Sequence, residues 1–351
     1  MEGVVSEASD GNGAILMHAV YMNQPGGPEV LQYGPLDDPK ATQGQLLIEV
    51  HAVSINPIDT YIRKGANYWP LPQPYIPGAD FAGKVIGVGP SVQGWKVGDR
   101  VWGSNQGLLG RQGSFAETIA VDADWVYPIP ENVPYSAMAA VALVGITAHL
   151  GLFREAHLSP GQTLFVRGGT GGVGSMVVQM GHLTGARVIT TAGSPEKAQQ
   201  CKELGADEVI EYRIEVLSEA LKRLAPGGVD LFWETLREPD FELAVAAMAP
   251  RGTMVLMAGR DARPPFPVGP FYVKECKLTG FAMFQAPPEI QRQAAEQIAQ
   301  WISQGRLVPR IDRTLPLSQA QLGHRLQEEN TVGKSGALAG KIVLVPDRLM
   351  S

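Results

Sequence analysis

A run of glycines between two apolar segments is the part of the sequence best suited to chemistry. Residues 167–174 read RGGTGGVG, directly after an apolar, strand-like segment and before an apolar, helix-like one. Glycines in such a turn let the backbone approach a pyrophosphate closely, and the N-terminus of the next helix supplies free N–H groups and partial positive charge. The sequence therefore predicts a dinucleotide-binding turn rather than a glycine-rich surface loop. Its predicted contact residues are Gly169, Thr170, Gly171, Gly172, Val173 and Gly174.

The end of the next predicted strand indicates which dinucleotide the turn would take. A site selective for NAD places an acidic residue there, about 20 residues after the turn, to accept from the ribose 2′-hydroxyl. Here residues 190–194 read TTAGS, so no carboxylate at this strand end repels a 2′-phosphate. Gly193 and Ser194 are predicted to line the site, with Lys197 as a charge for the phosphate and Tyr212 as a hydroxyl donor. The predicted cofactor is NADPH; alternatively, Lys197 is an ordinary solvated helix residue.

Alternating strands and helices are predicted around the glycine turn. The predicted strands are 162–166, 187–191, 208–210, 229–233, 253–257 and 277–281. The predicted helices are 174–184, 195–204, 214–224, 241–248 and 287–304. This alternation is typical of βαβ units in a doubly wound parallel sheet. A buried helix is predicted over 137–152.

The first third of the chain has a different pattern, with short β-branched segments between turns. Strands are predicted over 45–53, 81–88 and 115–121, and again at the C-terminus over 341–345. Many short strands separated by turns predict a barrel-like β domain. Asn56 before Pro57 suits a helix N-cap followed by the first helical residue. The whole chain is thus predicted to be an α/β protein with a β-rich part and a parallel sheet.

Composition bounds the remaining possibilities. The chain has 351 residues, which favours two domains, and its net charge of −6 argues against a nucleic-acid-binding surface. Its two cysteines, Cys201 and Cys276, are interpreted as buried thiols. No stretch was expected to approach the roughly 20 apolar residues of a membrane span. Residues 1–16 have no signal-peptide pattern and are interpreted as a flexible tail, so a cytoplasmic location is expected.

Several motifs, in their order and spacing, resemble one known family. They are PGGPEVL at 25–31, NPIDTY at 56–61, PGADFAG at 77–83, VGDRV at 97–101, GITA at 145–148, the glycine turn and GKIVL at 340–344. Over residues 17–346 the chain resembles the zinc-independent quinone oxidoreductase (zeta-crystallin-like) branch of the medium-chain dehydrogenase/reductase superfamily. The resemblance implies a GroES-like catalytic domain from residues 17–144 and 286–351. It also implies a Rossmann domain over 145–285, and a homodimer or homotetramer.

The residues that zinc-dependent members of the superfamily use are replaced here. Those members carry an early cysteine, a His-Glu pair after Pro-Gly and often a four-cysteine lobe. In this chain the stretch 54–56 stands at the cysteine position, Ala79-Asp80 replaces His-Glu, and no cysteine precedes Cys201. A catalytic zinc needs about three protein ligands and an open position, and the six histidines are scattered without ligand spacing. No metal site is therefore expected.

Without a metal, the acceptor must be able to take up hydride without Lewis-acid help. Quinones and enones meet this condition. The resemblance places Asn56, Asp59 and Tyr61 at the nicotinamide and acceptor pocket; helix capping is the alternative for Asn56 and Asp59. Tyr61 and Tyr68 are candidate proton donors, with water as the alternative. The resemblance assigns contacts with the nicotinamide half of the cofactor to Thr147, Met257, Ala258, Gly259, Phe281, Ala282 and Met283.

Two stretches depart from the family pattern. A glycine often follows the fourth strand of the parallel sheet in relatives, whereas this chain reads WETLRE at 233–238. Some relatives place an arginine for the 2′-phosphate where this chain reads QEEN at 327–330. Lys334 or Lys341 is therefore a predicted helper of Lys197 in compensating the phosphate charge.

Two other functions stay open. One is an enoyl or alkenal double-bond reductase, which would use the same cofactor on an acceptor with a longer tail. The other is an NADPH-binding protein of low turnover, crystallin-like or in contact with RNA; the intact glycine turn and the acidic composition make it the weaker alternative.

Overall fold

The computed structural model describes residues 16–66, 69–333 and 335–350. Tyr68, Lys334 and all of the predicted tail except Leu16 lie outside the described residues.

The N-terminal part of the chain is rich in short strands. They are β1 (Leu16–Tyr21), β2 (Gln32–Asp37), β3 (Gln45–Ile55), β4 (Asp80–Val88), β5 (Arg100–Gly103), β6 (Thr118–Asp122) and β7 (Val126–Pro128). Helix α1 (Pro57–Arg63) lies between β3 and β4.

Strands and helices alternate in the middle of the chain. Helix α2 (Tyr135–His149) continues as a π-helical segment (Leu150–Glu155). The strands that follow are β8 (Thr163–Val166), β9 (Arg187–Ala192), β10 (Glu208–Glu211), β11 (Val229–Glu234), β12 (Met248–Leu256) and β13 (Lys277–Gly280). The helices are α3 (Gly172–Thr184), α4 (Pro195–Glu203), α5 (Leu217–Leu224), α6 (Phe241–Ala247), α7 (Val268–Val273) and α8 (Pro288–Ser303). The chain ends with β14 (Ile311–Pro316), α9 (Ala320–Thr331) and β15 (Lys341–Val345).

The chain divides into two compact units, with the division inside α2. The first unit comprises the described residues up to Leu143 and from Ile311 onwards, and the second comprises Val144–Arg310. The prediction had assigned residues 286–310 to the first unit. They belong to the second unit because α8 is bonded to other residues of that unit. Gln291 of α8 donates to the Met283 and Ala286 carbonyls, and Gln297 Oε1 lies 2.6 Å from His149 Nε2.

The first unit is built on a seven-stranded sheet in the order β14-β15-β3-β4-β5-β7, with β6 also paired to β3. Its pairs are antiparallel except β14 with β15. The long strand β3 is therefore bonded to three neighbours, and its end leads directly into α1. Strands β1 and β2 pair separately with each other.

The second unit contains a six-stranded parallel sheet in the order β10-β9-β8-β11-β12-β13. Strand order reverses between β8 and β11, so the crevice at the carboxyl ends of these two strands is where this sheet type binds ligands. Phe165 and Phe232 pack against each other with tilted rings, whose centroids are 4.8 Å apart, among the apolar residues of α5 and α6. The predicted α/β fold, a GroES-like β-rich domain with a doubly wound Rossmann sheet, is confirmed.

The predicted buried helix is longer than expected. Among the described residues, Tyr135–Glu155 forms one helical stretch of 21 residues, and its most apolar 18 residues have a mean hydropathy of 1.8, so it is long and apolar enough to cross a membrane. The expectation that no stretch approaches this length was therefore wrong. Because 72% of its most apolar part is buried inside the protein, it has the character of a core helix.

Candidate active site

The glycine turn has the close approaches that the sequence predicted. Gly168 has a φ of +80°, and its N–H donates to Thr191 Oγ1 at 2.9 Å. A Cβ on Gly174 would lie 2.1 Å from the Gly168 carbonyl oxygen, and one on Gly169 would lie 2.5 Å from Thr190 Oγ1. Positions 169 and 174 therefore exclude every side chain, which keeps helix α3 tight against the turn and the sheet.

The N-terminus of α3 is open to an anion. Its N-cap is Gly171, and no side chain of the described residues caps the helix. The Ser175 N–H already bonds to the Gly171 carbonyl at 2.9 Å, so the free donors are the N–H groups of Gly172, Val173 and Gly174. Free N–H groups and the helix dipole together suit a phosphate. The turn thus fits the pyrophosphate of a dinucleotide.

The four residues predicted near a 2′-phosphate lie together in the second unit. A Cβ on Gly193 would lie 2.4 Å from the Tyr212 hydroxyl, so the exposed Tyr212 ring covers this glycine. Ser194 is the N-cap of α4, and its hydroxyl accepts from the Lys197 N–H at 3.3 Å.

Glu196 is a residue that the sequence analysis missed at this position. Its carboxylate hydrogen-bonds to the Ser194 side chain, which lowers the Glu196 pKa, and it is fully exposed. The NADPH prediction rests on the lack of an acid at the strand end, residues 190–194, and Glu196 lies two residues beyond Ser194. An acid and a lysine therefore both lie next to the predicted phosphate position.

The residues predicted near nicotinamide follow β12 and β13 and lie on α2. Gly259 has a φ of +84°, and a Cβ there would lie 2.6 Å from the Arg237 carbonyl oxygen. Thr147 and Met283 are buried, and the Met283 carbonyl accepts from Gln291 Nε2 at 2.9 Å. Met257, Ala258, Phe281 and Ala282 are half-buried. Their contact with a cofactor stays a prediction.

A buried carboxylate organises the polar groups of the first unit. Asp80 is fully buried, and its Oδ2 accepts from Ser54 Oγ at 2.8 Å and from Asn56 Nδ2 at 2.7 Å. Its Oδ1 accepts from Ser104 Oγ at 2.8 Å and from the Leu143 N–H at 3.0 Å. By the resemblance, the stretch 54–56 stands at the cysteine position and Ala79-Asp80 at the His-Glu pair, so Ser54 and Asn56 bond to the second residue of that pair, and Ala79 carries no ligand atom.

These donor types do not suit zinc. Zinc in catalytic sites is held by cysteine, histidine and carboxylate ligands, whereas Ser54 and Asn56 offer a neutral hydroxyl and an amide. Asp80 is the one ionisable group among the three, and it already accepts four hydrogen bonds. Within the part of the chain that the structure describes, no group of three or more His, Cys, Asp or Glu residues could hold a metal ion.

Lys341 belongs to this polar cluster. Its ammonium is buried and donates to the Ile55 carbonyl at 2.7 Å and to Asn56 Oδ1 at 2.5 Å. It also faces the negative charges of Asp80 and Asp59. The structure contradicts its predicted role as a helper for the 2′-phosphate, because the ammonium is enclosed and already bonded to Ile55 and Asn56.

Asp59 is both a helix cap and a buried acid. Its Oδ2 accepts from the Asn56 N–H at 2.7 Å, so the capping alternative for these two residues is observed. Burial raises the pKa of Asp59 to about 7, with a further upward contribution from Asp80, while Lys341 and two backbone N–H groups oppose it. Burial likewise raises the pKa of Asp80 and lowers that of Lys341. The pocket roles of Asn56 and Asp59 stay predictions.

The C-terminal end of α1, which carries the half-buried Tyr61, is held by a buried arginine. Arg63 donates to the Gly26 carbonyl at 3.1 Å and to Glu328 Oε1 at 2.7 Å, and lies 3.3 Å from His324 Nδ1. Burial, with the charge of Arg63, lowers the pKa of His324 to about 3, so His324 is neutral. Glu328 therefore pairs with α1, which explains the acidic residue in the QEEN stretch at 327–330.

Comparisons with known proteins agree with the two units. Residues 42–131 match the alcohol dehydrogenase GroES-like domain, and residues 172–303 match the family described as zinc-binding dehydrogenase. The quinone oxidoreductase of Pongo abelii is 31% identical over 337 residues, covering 95% of this chain and 99% of that protein.

Two solved structures are similar over the same length. One is an Escherichia coli quinone oxidoreductase complexed with NADPH, with a TM-score of 0.82 and 28% identity, covering 94% of this chain and 100% of that one. The other is described as an NAD-dependent alcohol dehydrogenase, with a TM-score of 0.85 and 28% identity, covering 94% and 99%.

Proposed function

Because the chain belongs to the zinc-independent quinone oxidoreductase branch of the medium-chain dehydrogenase/reductase superfamily, we propose that it is an NADPH-dependent reductase of quinones or similar conjugated carbonyl compounds. That it is an oxidoreductase follows from its family. The choice of NADPH, the acceptor and the roles of individual residues form the proposal.

The proposal rests on the hydrogen bonds that Ser54, Asn56 and Ser104 donate to the buried carboxylate of Asp80. By the resemblance, Ser54, Asn56 and Asp80 lie in the stretches where metal-dependent relatives carry zinc-binding residues, and Ser54 and Asn56 both donate to Asp80. A simple ketone needs strong acid help to accept hydride. A quinone or enone does not, because its conjugated system delocalises the incoming electrons. This acceptor class therefore fits a site that lacks zinc donors.

The residues of the chain bind and orient the reactants. When bound, NADPH supplies the hydride from C4 of its nicotinamide. The glycine turn and the α3 N-terminus hold the pyrophosphate, and Lys197 and Tyr212 bind the 2′-phosphate. Thr147 and the residues after β12 and β13 orient the nicotinamide, Tyr61 forms a wall of the acceptor pocket, and orientation lowers the barrier to hydride transfer.

Cofactor choice is tested at position 197. Lys197→Ala is expected to raise the KM for NADPH about tenfold, which corresponds to about 1.4 kcal/mol, with the KM for NADH almost unchanged. The matched variant Glu196→Gln removes a charge of the same sign as the phosphate, so it should lower the KM for NADPH. Equal effects of Lys197→Ala on both cofactors would refute the phosphate role.

Acceptor class is tested by measuring NADPH oxidation with 9,10-phenanthrenequinone, 1,4-benzoquinone and crotonyl-CoA side by side. Faster turnover with the two quinones than with the thioester supports the proposal. Preference for crotonyl-CoA would assign the protein as an enoyl reductase. Tight NADPH binding with negligible turnover on all three would assign it as a cofactor-binding protein.

The proposal includes a cytoplasmic homo-oligomer. Exposed apolar side chains lie on α7 and on the edge strand β13, namely Val268, Tyr272, Val273 and Leu278. Their exposure at an unpaired sheet edge supports contact with a second copy of the chain. Sedimentation equilibrium tests this part of the proposal, and a monomeric mass would contradict it.

A further inference from the structure

The glycine turn is bonded to the end of β11 and to the start of the loop that follows it, across the point where the strand order reverses. The Arg167 N–H donates to the Trp233 carbonyl at 3.0 Å, and Thr235 Oγ1 donates to the Arg167 carbonyl at 2.6 Å. The Arg167 side chain adds a third link, with Nη1 3.4 Å from Glu234 Oε2. These are the two loops that flank the ligand-binding crevice of such a sheet.

Glu234 is a buried carboxylate whose position fixes the orientation of the Arg167 guanidinium. Its side chain is fully buried, and its Oε1 accepts from the Leu236 N–H at 2.7 Å. Burial raises its pKa, while Arg167 and the N–H groups of Leu236 and Thr235 favour the charged form. A buried carboxylate with these partners orients the guanidinium beside it and restricts its movement.

The Arg167 guanidinium has more N–H donors than its contact with Glu234 uses. A guanidinium carries five N–H donors, and its side-chain partner among the described residues is Glu234 alone. The side chain remains 17% exposed, so part of it reaches solvent at the carboxyl edge of the sheet. Arg167 is also the only charged residue within 167–174.

Charge balance gives this arginine a role in cofactor binding. The N-terminus of α3 supplies only about half a positive charge, whereas the pyrophosphate of a dinucleotide is doubly negative. We infer that Arg167, oriented by Glu234, is a pyrophosphate-binding residue of the dinucleotide site. This inference rests on the proposed function, and it adds a contact that NADPH and NADH share.

The competing explanation is that Arg167 only neutralises the buried Glu234. Four variants separate the two: Arg167→Met, Glu234→Gln, the double variant and Asp230→Asn. Asp230 is the matched control, because its carboxylate also accepts a backbone N–H, from Thr163 at 2.7 Å, but at the amino end of the same strand. The double variant contains no unpaired buried charge, so it also guards against misfolding.

Equilibrium binding of NADPH, NADH and 2′-AMP to the protein without acceptor supplies the readout. Arg167→Met and the double variant should both weaken NADPH and NADH about tenfold, while 2′-AMP, which has no pyrophosphate, binds as before. Their NADH affinity should also depend less on salt than that of the parent protein. Glu234→Gln should weaken both dinucleotides less, and Asp230→Asn should leave both unchanged.

The result that overturns the inference is a double variant that binds both dinucleotides as tightly as the parent, since Arg167 would then serve Glu234 alone. Unequal losses for NADPH and NADH would overturn it as well, because the pyrophosphate is common to them. Failure of the parent protein to bind either dinucleotide is a separate outcome, which would refute the proposed function and this inference with it.

Discussion

Replacing Gly174 by alanine is expected to weaken NADPH binding about 100-fold, the size of effect that a displacement of about 1 Å at a site can produce. The added Cβ would lie 2.1 Å from the Gly168 carbonyl oxygen and 3.0 Å from its carbon, both backbone atoms that no rotamer change can move aside. The turn or the start of α3 must shift, which moves the N–H groups of Gly172 and Val173 away from the phosphates. Equilibrium titration with NADPH measures the effect.

The control for this prediction is a glycine of the same unit outside the glycine turn. Gly227 is exposed in the turn before β11, and an added Cβ there has nothing within 4 Å. Gly227→Ala should therefore bind NADPH within a few-fold of the parent protein. If Gly174→Ala bound NADPH as tightly as Gly227→Ala, the tight turn would not be needed to bind the cofactor.

Replacing Lys341 by methionine is expected to lower the free energy of unfolding by about 3–5 kcal/mol, the usual cost of leaving a buried charge without its partner. The variant keeps Asp59 and Asp80 buried and removes the ammonium that faces them. The pKa values of Asp59 and Asp80 in the folded protein then rise further. A carboxyl whose pKa is higher in the folded than in the unfolded state makes the protein less stable as the pH rises through the folded-state pKa. The loss measured by urea unfolding should therefore be larger at pH 8 than at pH 6.

An exposed lysine of the same unit provides the comparison. Lys84 lies on β4 with its side chain in solvent, and Lys84→Met should change the free energy of unfolding by less than about 0.5 kcal/mol at either pH. If Lys341→Met changed the free energy of unfolding as little as Lys84→Met, or if its effect did not depend on pH, the charges of Lys341, Asp59 and Asp80 would not stabilise the fold together.

The sequence predicted best where local chemistry decides the structure. The glycine turn, the strand before it and the helix after it follow from residues that are neighbours in the chain, and position 174 needs glycine because of its contact with the Gly168 carbonyl in the same turn. The parallel sheet followed from apolar segments of regular spacing. The strand β14 and the helix α9 were not predicted, because Ile311–Pro316 is largely exposed and polar and no side chain caps α9.

The errors concern residues whose roles depend on distant partners. Lys341 meets Asn56 and Asp80 only because β15 pairs with β3 and β3 with β4, contacts that span more than 250 positions for β15. Glu328 meets Arg63 across 265 positions. A lysine or glutamate in the sequence carries no mark of such a partner, so neither contact was predicted. The third case, Glu196, is local: an acid was expected only at the strand end, and Glu196 lies two residues beyond Ser194.

The central claim is that this chain passes hydride from NADPH to a quinone without a metal. The most direct test treats the protein with a strong chelator, determines its zinc content, and then measures NADPH binding and NADPH oxidation by 1,4-benzoquinone. The account predicts tight NADPH binding and an undiminished rate in protein that contains no stoichiometric zinc. Activity that disappears on chelation and returns with added zinc, or a protein that does not bind NADPH, would contradict it.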